Sequence, residues 1–151
     1  RELQERKMRR LDKFKARLLS SGYVVIMYSG DNGPKYELKM ALAKDGATIT
    51  LDGSYSGVNE RLFSVPVSTC AIRRATDPDP DFPQFAGSRI LRDNIKPQEA
   101  MKAFIVTSVD AGKGARAEYN LVAATEYECA EIVEGLILLV VGPRQNAEMS
   151  M

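Results

Sequence analysis

The sequence predicts a mainly β protein with added helices: seven strands in a bent antiparallel sandwich or barrel, capped by a C-terminal helix. Three observations support this prediction. Short apolar runs separated by turn signals indicate strands between residues 23 and 123. An amphipathic run after Thr125 indicates the capping helix. A basic amphipathic run over residues 2–20 indicates a further, N-terminal helix.

The N-terminal helix combines a narrow apolar stripe with strong positive charge. Leu11, Phe14 and Leu18 follow the i, i+3, i+7 spacing of one helix face. Residues 1–21 carry a net charge of +5, which leaves −4 for the rest of the chain. Two interpretations are open: the stripe docks on the domain, or the helix lies on an anionic membrane or in a partner's groove. The basic side chains that would then face the membrane or partner are Arg6, Lys7, Arg9, Arg10, Lys13 and Arg17.

The strands are predicted from alternating or β-branched apolar runs bounded by turn residues. Asp45-Gly46 predicts a two-residue hairpin, and residues 31–34 predict a turn. Pro66 predicts an edge, bulge or bend, because proline cannot donate to a strand ladder. The predicted runs are 23–28, 36–43, 48–51, 61–64, 67–73, 103–109 and 117–123.

The C-terminal helix is predicted from its caps and its apolar face. Thr125 and Glu128 have the spacing of a capping box, and Gly142-Pro143 predicts the helix end. We therefore expect a basic helix over 1–21, a domain over 22–143 and a tail over 144–151. The expected buried face consists of Cys129, Ala130, Ile132, Val133, Leu136, Ile137, Val140 and Val141. A charged substitution at Ile137 is accordingly expected to prevent stable folding.

Composition argues against several classes of function. The chain has no histidine and two cysteines, so we expect no catalytic residues, no metal and no cofactor. Three alternating aspartates at 77–81 do not form a calcium loop, which would need glycine at Phe82 and glutamate at Ser88. Nucleic acid is not an expected partner, because the basic helix has a single aromatic residue, on its apolar stripe.

The predicted order of elements over residues 23–142 resembles a pleckstrin-homology (PH) domain, although the tryptophan usual in the PH helix is absent and Ile132 or Leu136 takes its place. Phosphoinositide-binding PH domains use a basic residue late in the first strand and an Arg/Lys-x-Arg pair opening the second. Here Asp31 and Glu37 fall in that region. The resemblance therefore implies a degraded phosphoinositide site. The alternative is a lipid-binding PH domain with a non-standard basic site, for which the candidates are Lys35, Lys39, Arg73 and Arg74.

A basic segment followed by such a domain is similar to the inner membrane complex sub-compartment proteins of apicomplexan parasites. The resemblance is carried by Gly22-Tyr23, the Gly/Ser loop after Leu51, residues 63–69, and residues 119–122 leading to 128–135. It implies a non-catalytic scaffold with protein partners in a membrane–cytoskeletal complex, at the cytoplasmic face of a membrane. It also implies anchoring by myristoylation and palmitoylation upstream of Arg1.

Overall fold

The computed structural model describes residues 2–29, 35–54, 62–110 and 115–149. The predicted turn at 31–34 lies outside these ranges. Two short 3₁₀ turns, at Val67–Thr69 and Pro97–Lys102, accompany the main elements. In chain order these are α1 Glu2–Leu19, β1 Tyr23–Tyr28, β2 Lys35–Leu42, β3 Thr48–Asp52, β4 Leu62–Pro66, β5 Cys70–Arg74, α2 Arg89–Asn94, β6 Ala103–Asp110, β7 Ala115–Ala123 and α3 Glu126–Met149.

The seven strands form one antiparallel sheet in the order β4-β3-β2-β1-β7-β6-β5. The sheet is strongly bent. Four strand steps separate β4 from β7, about 19 Å in a flat sheet, yet the rings of Phe63 and Tyr119 lie 5.9 Å apart. Pro66 ends β4, and the chain then crosses through a 3₁₀ turn to β5 at the opposite edge. The predicted bent antiparallel fold and the bend at Pro66 are confirmed.

The hairpin predicted at Asp45-Gly46 is confirmed, with a longer loop. Ala43 N donates to Thr48 O at 2.8 Å, so the loop spans residues 44–47 rather than two residues. Gly46 has φ +71°, a left-handed conformation that glycine adopts without strain. Asp45 Oδ1 accepts from Ala47 N at 2.8 Å and holds the turn.

The inside of the bend holds the main core, which α1 and α3 close. Ile132 and Leu136 of α3 are buried among inward side chains such as Leu38 and Phe104. Phe14 and Leu18 of α1 belong to the same core. The docked interpretation of the N-terminal helix is therefore confirmed.

Only half of the predicted capping box of α3 forms. Thr125 Oγ1 accepts from Glu128 N at 3.0 Å, as an N-cap does. The Glu128 carboxylate instead accepts from Arg17 of α1. A tertiary ion pair thus replaces the local contact.

Two sequence predictions about helices are wrong, and one helix is missed. α3 runs through Gly142-Pro143 to Met149, because a proline removes one N–H donor and the neighbouring turns can keep theirs. Ile137 is 42% exposed, whereas Leu136 is 2% exposed, so the predicted effect of a charge belongs to Leu136. α2 was not predicted at all.

Candidate functional site

The four basic residues considered for a lipid headgroup lie on two strands that are not neighbours in the sheet. Lys35 and Lys39 lie on β2, Arg73 and Arg74 lie on β5, and three strands stand between them in the sheet. Because side chains alternate along a strand, Arg73 and Arg74 also point to opposite faces of β5. Residues 30–34, which join β1 to β2, lie outside the described ranges.

Two of the four have structural contacts. Arg73 Nη2 donates to Gly87 O at 3.0 Å, which ties β5 to the loop that follows it. The Lys39 side chain crosses Gly22, where an added Cβ would lie 3.0 Å from Lys39 Cε and 2.5 Å from Met40 O. Lys39 also pairs in register with Asp52 of β3. These contacts support packing roles for Arg73 and Lys39.

The six basic residues of α1 that were candidates for facing a membrane or partner divide into two sets. Arg10 and Arg17 face α3: Arg10 pairs with Glu134, and Arg17 pairs with Glu128 at 2.7 Å and with Glu131 at 3.5 Å. For these two the contacts run to α3 rather than to an outside surface. The remaining four are exposed: Arg6, Lys7, Arg9 and Lys13. Their role in facing a membrane or partner stays a prediction.

Arg17 is the centre of a cluster that fixes α1 in place. Its guanidinium carbon lies 3.9 Å from the centroid of the Tyr23 ring, and the Tyr23 hydroxyl donates to Glu131. Burial raises the pKa of Tyr23 well above its usual range, and the hydrogen bond to Glu131 raises it further. Burial lowers the pKa of Arg17, but its bond to Glu128 and the nearby carboxylates outweigh this and raise it. The contacts of Arg17 and Tyr23 with Glu128 and Glu131 therefore join α1 and β1 to α3.

The docked α1 presents charge outward without a broad apolar face. Phe14 and Leu18 are buried in the core, and Leu11 packs against it. Leu3, Met8 and Leu19 are exposed, but they form no continuous face: Leu3 lies on a different side of the helix, and Met8 and Leu19 are about three turns apart. An amphipathic membrane helix needs a continuous apolar face, and here the core occupies that face.

A second surface is formed by the loop between β5 and β6. This loop carries α2 and two half-exposed aromatic side chains, Phe82 and Phe85. A cleft of about 290 Å³ opens beside Phe82. The signal that could have revealed α2 is Ser88, an N-cap residue three positions before the apolar Leu91.

The described ranges also bear on metal binding, membrane spanning and thiol chemistry. No three His, Cys, Asp or Glu side chains are grouped there in a way that could hold a metal ion. In the same part of the chain, no helix has the length and apolarity to span a bilayer. Cys70 and Cys129 are both buried and are not joined in a disulfide. Burial raises the pKa of Cys129, so this thiol packs rather than reacts.

Comparison with solved structures identifies the fold. PLC21 of L. pealei matches with a TM-score of 0.57 and 14% identity over 82% of this chain, which spans only 15% of that protein. The DH/PH domains of PDZ-RhoGEF, in complex with GTP-gamma-S activated RhoA, match with a TM-score of 0.53 and 14% identity, over 91% of this chain and 40% of theirs.

A structure of similar length also matches. Inner membrane complex sub-compartment protein 1 of Toxoplasma gondii has a TM-score of 0.55 and 13% identity, over 87% of this chain and 91% of its own. No protein-family model matches the sequence, and neither does any curated protein. The chain therefore has a pleckstrin-homology-like fold, as its sequence predicted, and shares that fold with an inner membrane complex sub-compartment protein.

Proposed function

We infer that this protein is a non-catalytic scaffold module that binds other proteins of a membrane–cytoskeletal complex. Its location would be the cytoplasmic face of a membrane, in an inner membrane complex. The observation that supports this inference is that the candidate lipid-binding residues lie on two non-neighbouring strands, Lys35 and Lys39 on β2 and Arg73 and Arg74 on β5. A phosphate group is gripped well only when several donors converge on it.

A non-catalytic role is consistent with the structural contacts of the residues whose pKa values are shifted. Burial and the hydrogen bond to Glu131 raise the pKa of Tyr23. Burial opposes but does not cancel the rise in the pKa of Arg17 caused by its hydrogen bond to Glu128, and these contacts join α1 and β1 to α3. Asp79 has a lowered pKa because, although burial opposes it, hydrogen bonds from Asp81 N and Arg92 favour the charged form. In each case the shifted group serves the packing of two elements.

Membrane association would rest on two weak contributions. The exposed residues Arg6, Lys7, Arg9 and Lys13 supply roughly 1 kcal/mol each near an anionic surface, about 4 kcal/mol together. That corresponds to a dissociation constant on the order of 1 mM, too weak for stable anchoring. We propose that acyl chains attached upstream of Arg1 supply the rest, since one chain alone is also marginal.

Vesicle co-sedimentation of the lipid-free protein tests this function. Three compositions are compared: phosphatidylcholine alone, the same with phosphatidylserine, and the same with a phosphoinositide at equal surface charge. We expect weak binding to both anionic vesicles, lost at high salt, with no preference for the phosphoinositide. Tight, salt-resistant binding to the phosphoinositide that Lys35→Glu with Lys39→Glu abolishes would refute the scaffold function and establish a lipid receptor.

A further inference from the structure

The loop between β5 and β6 is anchored on the outer face of the sheet, on the opposite side from α1 and α3. Leu91 of α2 is buried against Ile105 and Val122, whose side chains point away from the main core. Ser88 Oγ accepts from Leu91 N at 3.2 Å and donates to the buried Asn120 of β7. The loop is thus a folded surface supported by the sheet.

An ion pair between the buried Asp79 and the partly exposed Arg92 fixes the conformation of this loop. Asp79 Oδ2 accepts from Arg92 Nη1 at 3.1 Å, and Asp79 Oδ1 accepts from Asp81 N at 2.9 Å. Arg92 Nη1 also donates to Ala86 O at 2.8 Å, and its guanidinium carbon lies 5.0 Å from the centroid of the Phe85 ring. The segment is therefore held before any partner arrives.

The fixed loop leaves two aromatic rings in solvent. Phe82 is 51% exposed and Phe85 is 50% exposed, and Phe85 N donates to Phe82 O at 2.9 Å. Exposed large apolar side chains that lie together mark interaction surfaces. Aromatic anchors that are already ordered lose little conformational entropy on binding, so they are efficient contacts.

The cleft beside Phe82 adds a charge preference. Its volume is about 290 Å³, and Asp81, Ile90 and Glu118 are among its lining residues. The basic residue on its rim, Arg89, already pairs with Asp93 at 3.7 Å. Within the described ranges, Asp81 and Glu118 have no ion pair. The cleft is at the small end of ligand pockets, the size of a side chain rather than of a cofactor.

We propose that this aromatic–acidic cleft docks a basic segment of a protein partner. One arginine or lysine side chain enters between Asp81 and Glu118, and its cation lies over the Phe82 ring. Apolar neighbours of that residue in the partner pack on Phe82 and Phe85. The inference rests on the proposed scaffold function and specifies the chemistry of the partner.

The test uses a fluorescent peptide of alternating arginine and leucine, followed by anisotropy at low and moderate salt. A citrulline version of the peptide keeps the shape and removes the charge. The protein variants are Asp81→Lys with Glu118→Lys, and separately Phe82→Ser, all at exposed positions. The matched control is Glu5→Lys with Asp12→Lys on exposed positions of α1, which changes the net charge by the same amount.

We expect the parent and the α1 control to bind the arginine peptide alike. The citrulline peptide should bind the parent at least about tenfold more weakly than the arginine peptide does. The cleft double variant and Phe82→Ser should each bind the arginine peptide at least about tenfold more weakly than the parent does. Equal weakening by the α1 control would overturn the proposal, because it would indicate general charge attraction. So would self-association of the parent that the cleft double variant abolishes, since the occupant would then be α1 of a second copy.

The same variants separate this inference from the proposed function. Peptide docking concerns the outer face, whereas vesicle binding concerns α1 and β2. A parent protein that fails to bind the peptide but behaves as expected with vesicles overturns the inference and leaves the scaffold function in place. Peptide binding together with salt-resistant phosphoinositide binding overturns the scaffold function instead.

Discussion

Replacing Gly135 by alanine should destabilise this protein, although the same change in the interior of a helix normally stabilises it by about 0.5–1 kcal/mol. Gly135 lies in α3 where α1 crosses it. A Cβ at this position would lie 2.4, 2.5 and 2.6 Å from three ring carbons of Phe14. Carbon atoms in contact prefer separations of about 3.5–4.0 Å, so the ring would have to retreat by about 1 Å.

The ring has little room to retreat. Phe14 is buried, and its ring centroid lies 5.8 Å from that of Tyr23. Tyr23 is itself held by Glu131 and Arg17. Overpacking of this kind costs about 1–3 kcal/mol, so after the gain in helix propensity we expect a net loss of up to about 2.5 kcal/mol.

Urea unfolding followed by circular dichroism measures this loss. With a slope of about 1–3 kcal/mol/M, the midpoint should fall by roughly 1 M. Ala130→Gly in the same helix is the control and should cost no more than about 1 kcal/mol by propensity alone. In a Phe14→Leu background the alanine at 135 should cost much less, a coupling that a double-mutant cycle detects. A midpoint for Gly135→Ala at or above the parent's would refute the close packing of α1 on α3.

Three further predictions follow from the same packing. Leu136→Asp should abolish cooperative thermal unfolding, whereas Ile137→Asp should melt within a few degrees of the parent. Equal effects of the two changes would contradict the burial of Leu136 and the exposure of Ile137 in α3. Removing residues 2–19 should cost about 3–6 kcal/mol in urea unfolding, since two buried apolar side chains are lost, while neutralising the exposed α1 cations should cost almost nothing. Burial opposes ionisation of Asp79, but hydrogen bonds from Asp81 N and Arg92 outweigh it and lower the pKa of this carboxyl. Asp79 therefore contributes to the free energy of unfolding above about pH 4, and this contribution is lost as the pH falls toward the folded-state pKa. Asp79→Asn should therefore flatten the acid dependence of the urea midpoint, and an unchanged acid profile would contradict the Asp79–Arg92 pair.

The regular parts of this fold were predictable because their signals are local. The β2–β3 hairpin alternates apolar and polar residues around Asp45-Gly46, and each signal there agrees with the next. The C-terminal helix was predictable for the same reason, but its phase was not. Leu136 to Val141 are all apolar, so the sequence offers no polar residue to mark which side is exposed, and Ile137 was assigned to the wrong side.

The missed features depend on contacts distant in the chain. α2 has six residues, too few to be stable alone, and it exists because Leu91 is buried on β6 and β7. The separation of Lys39 from Arg73 follows from the pairing of β1 with β7, a long-range contact that no local pattern specifies. Which basic side chains of α1 form ion pairs likewise depends on Glu128, Glu131 and Glu134 of α3, which lie more than 100 positions away in the chain.

The energetics of α1 decide how the domain would lie on a membrane. Inserting the helix would uncover Phe14 and Leu18, at about 1.5–3 kcal/mol each, and break the Arg17 pairs. The attraction of its exposed cations, about 4 kcal/mol, is gained equally without insertion. The helix should therefore stay docked at an anionic surface. The membrane would then face the α1–α3 side, and the loop bearing Phe82, anchored on the other face of the sheet, would point away from the bilayer, where a protein partner can reach it.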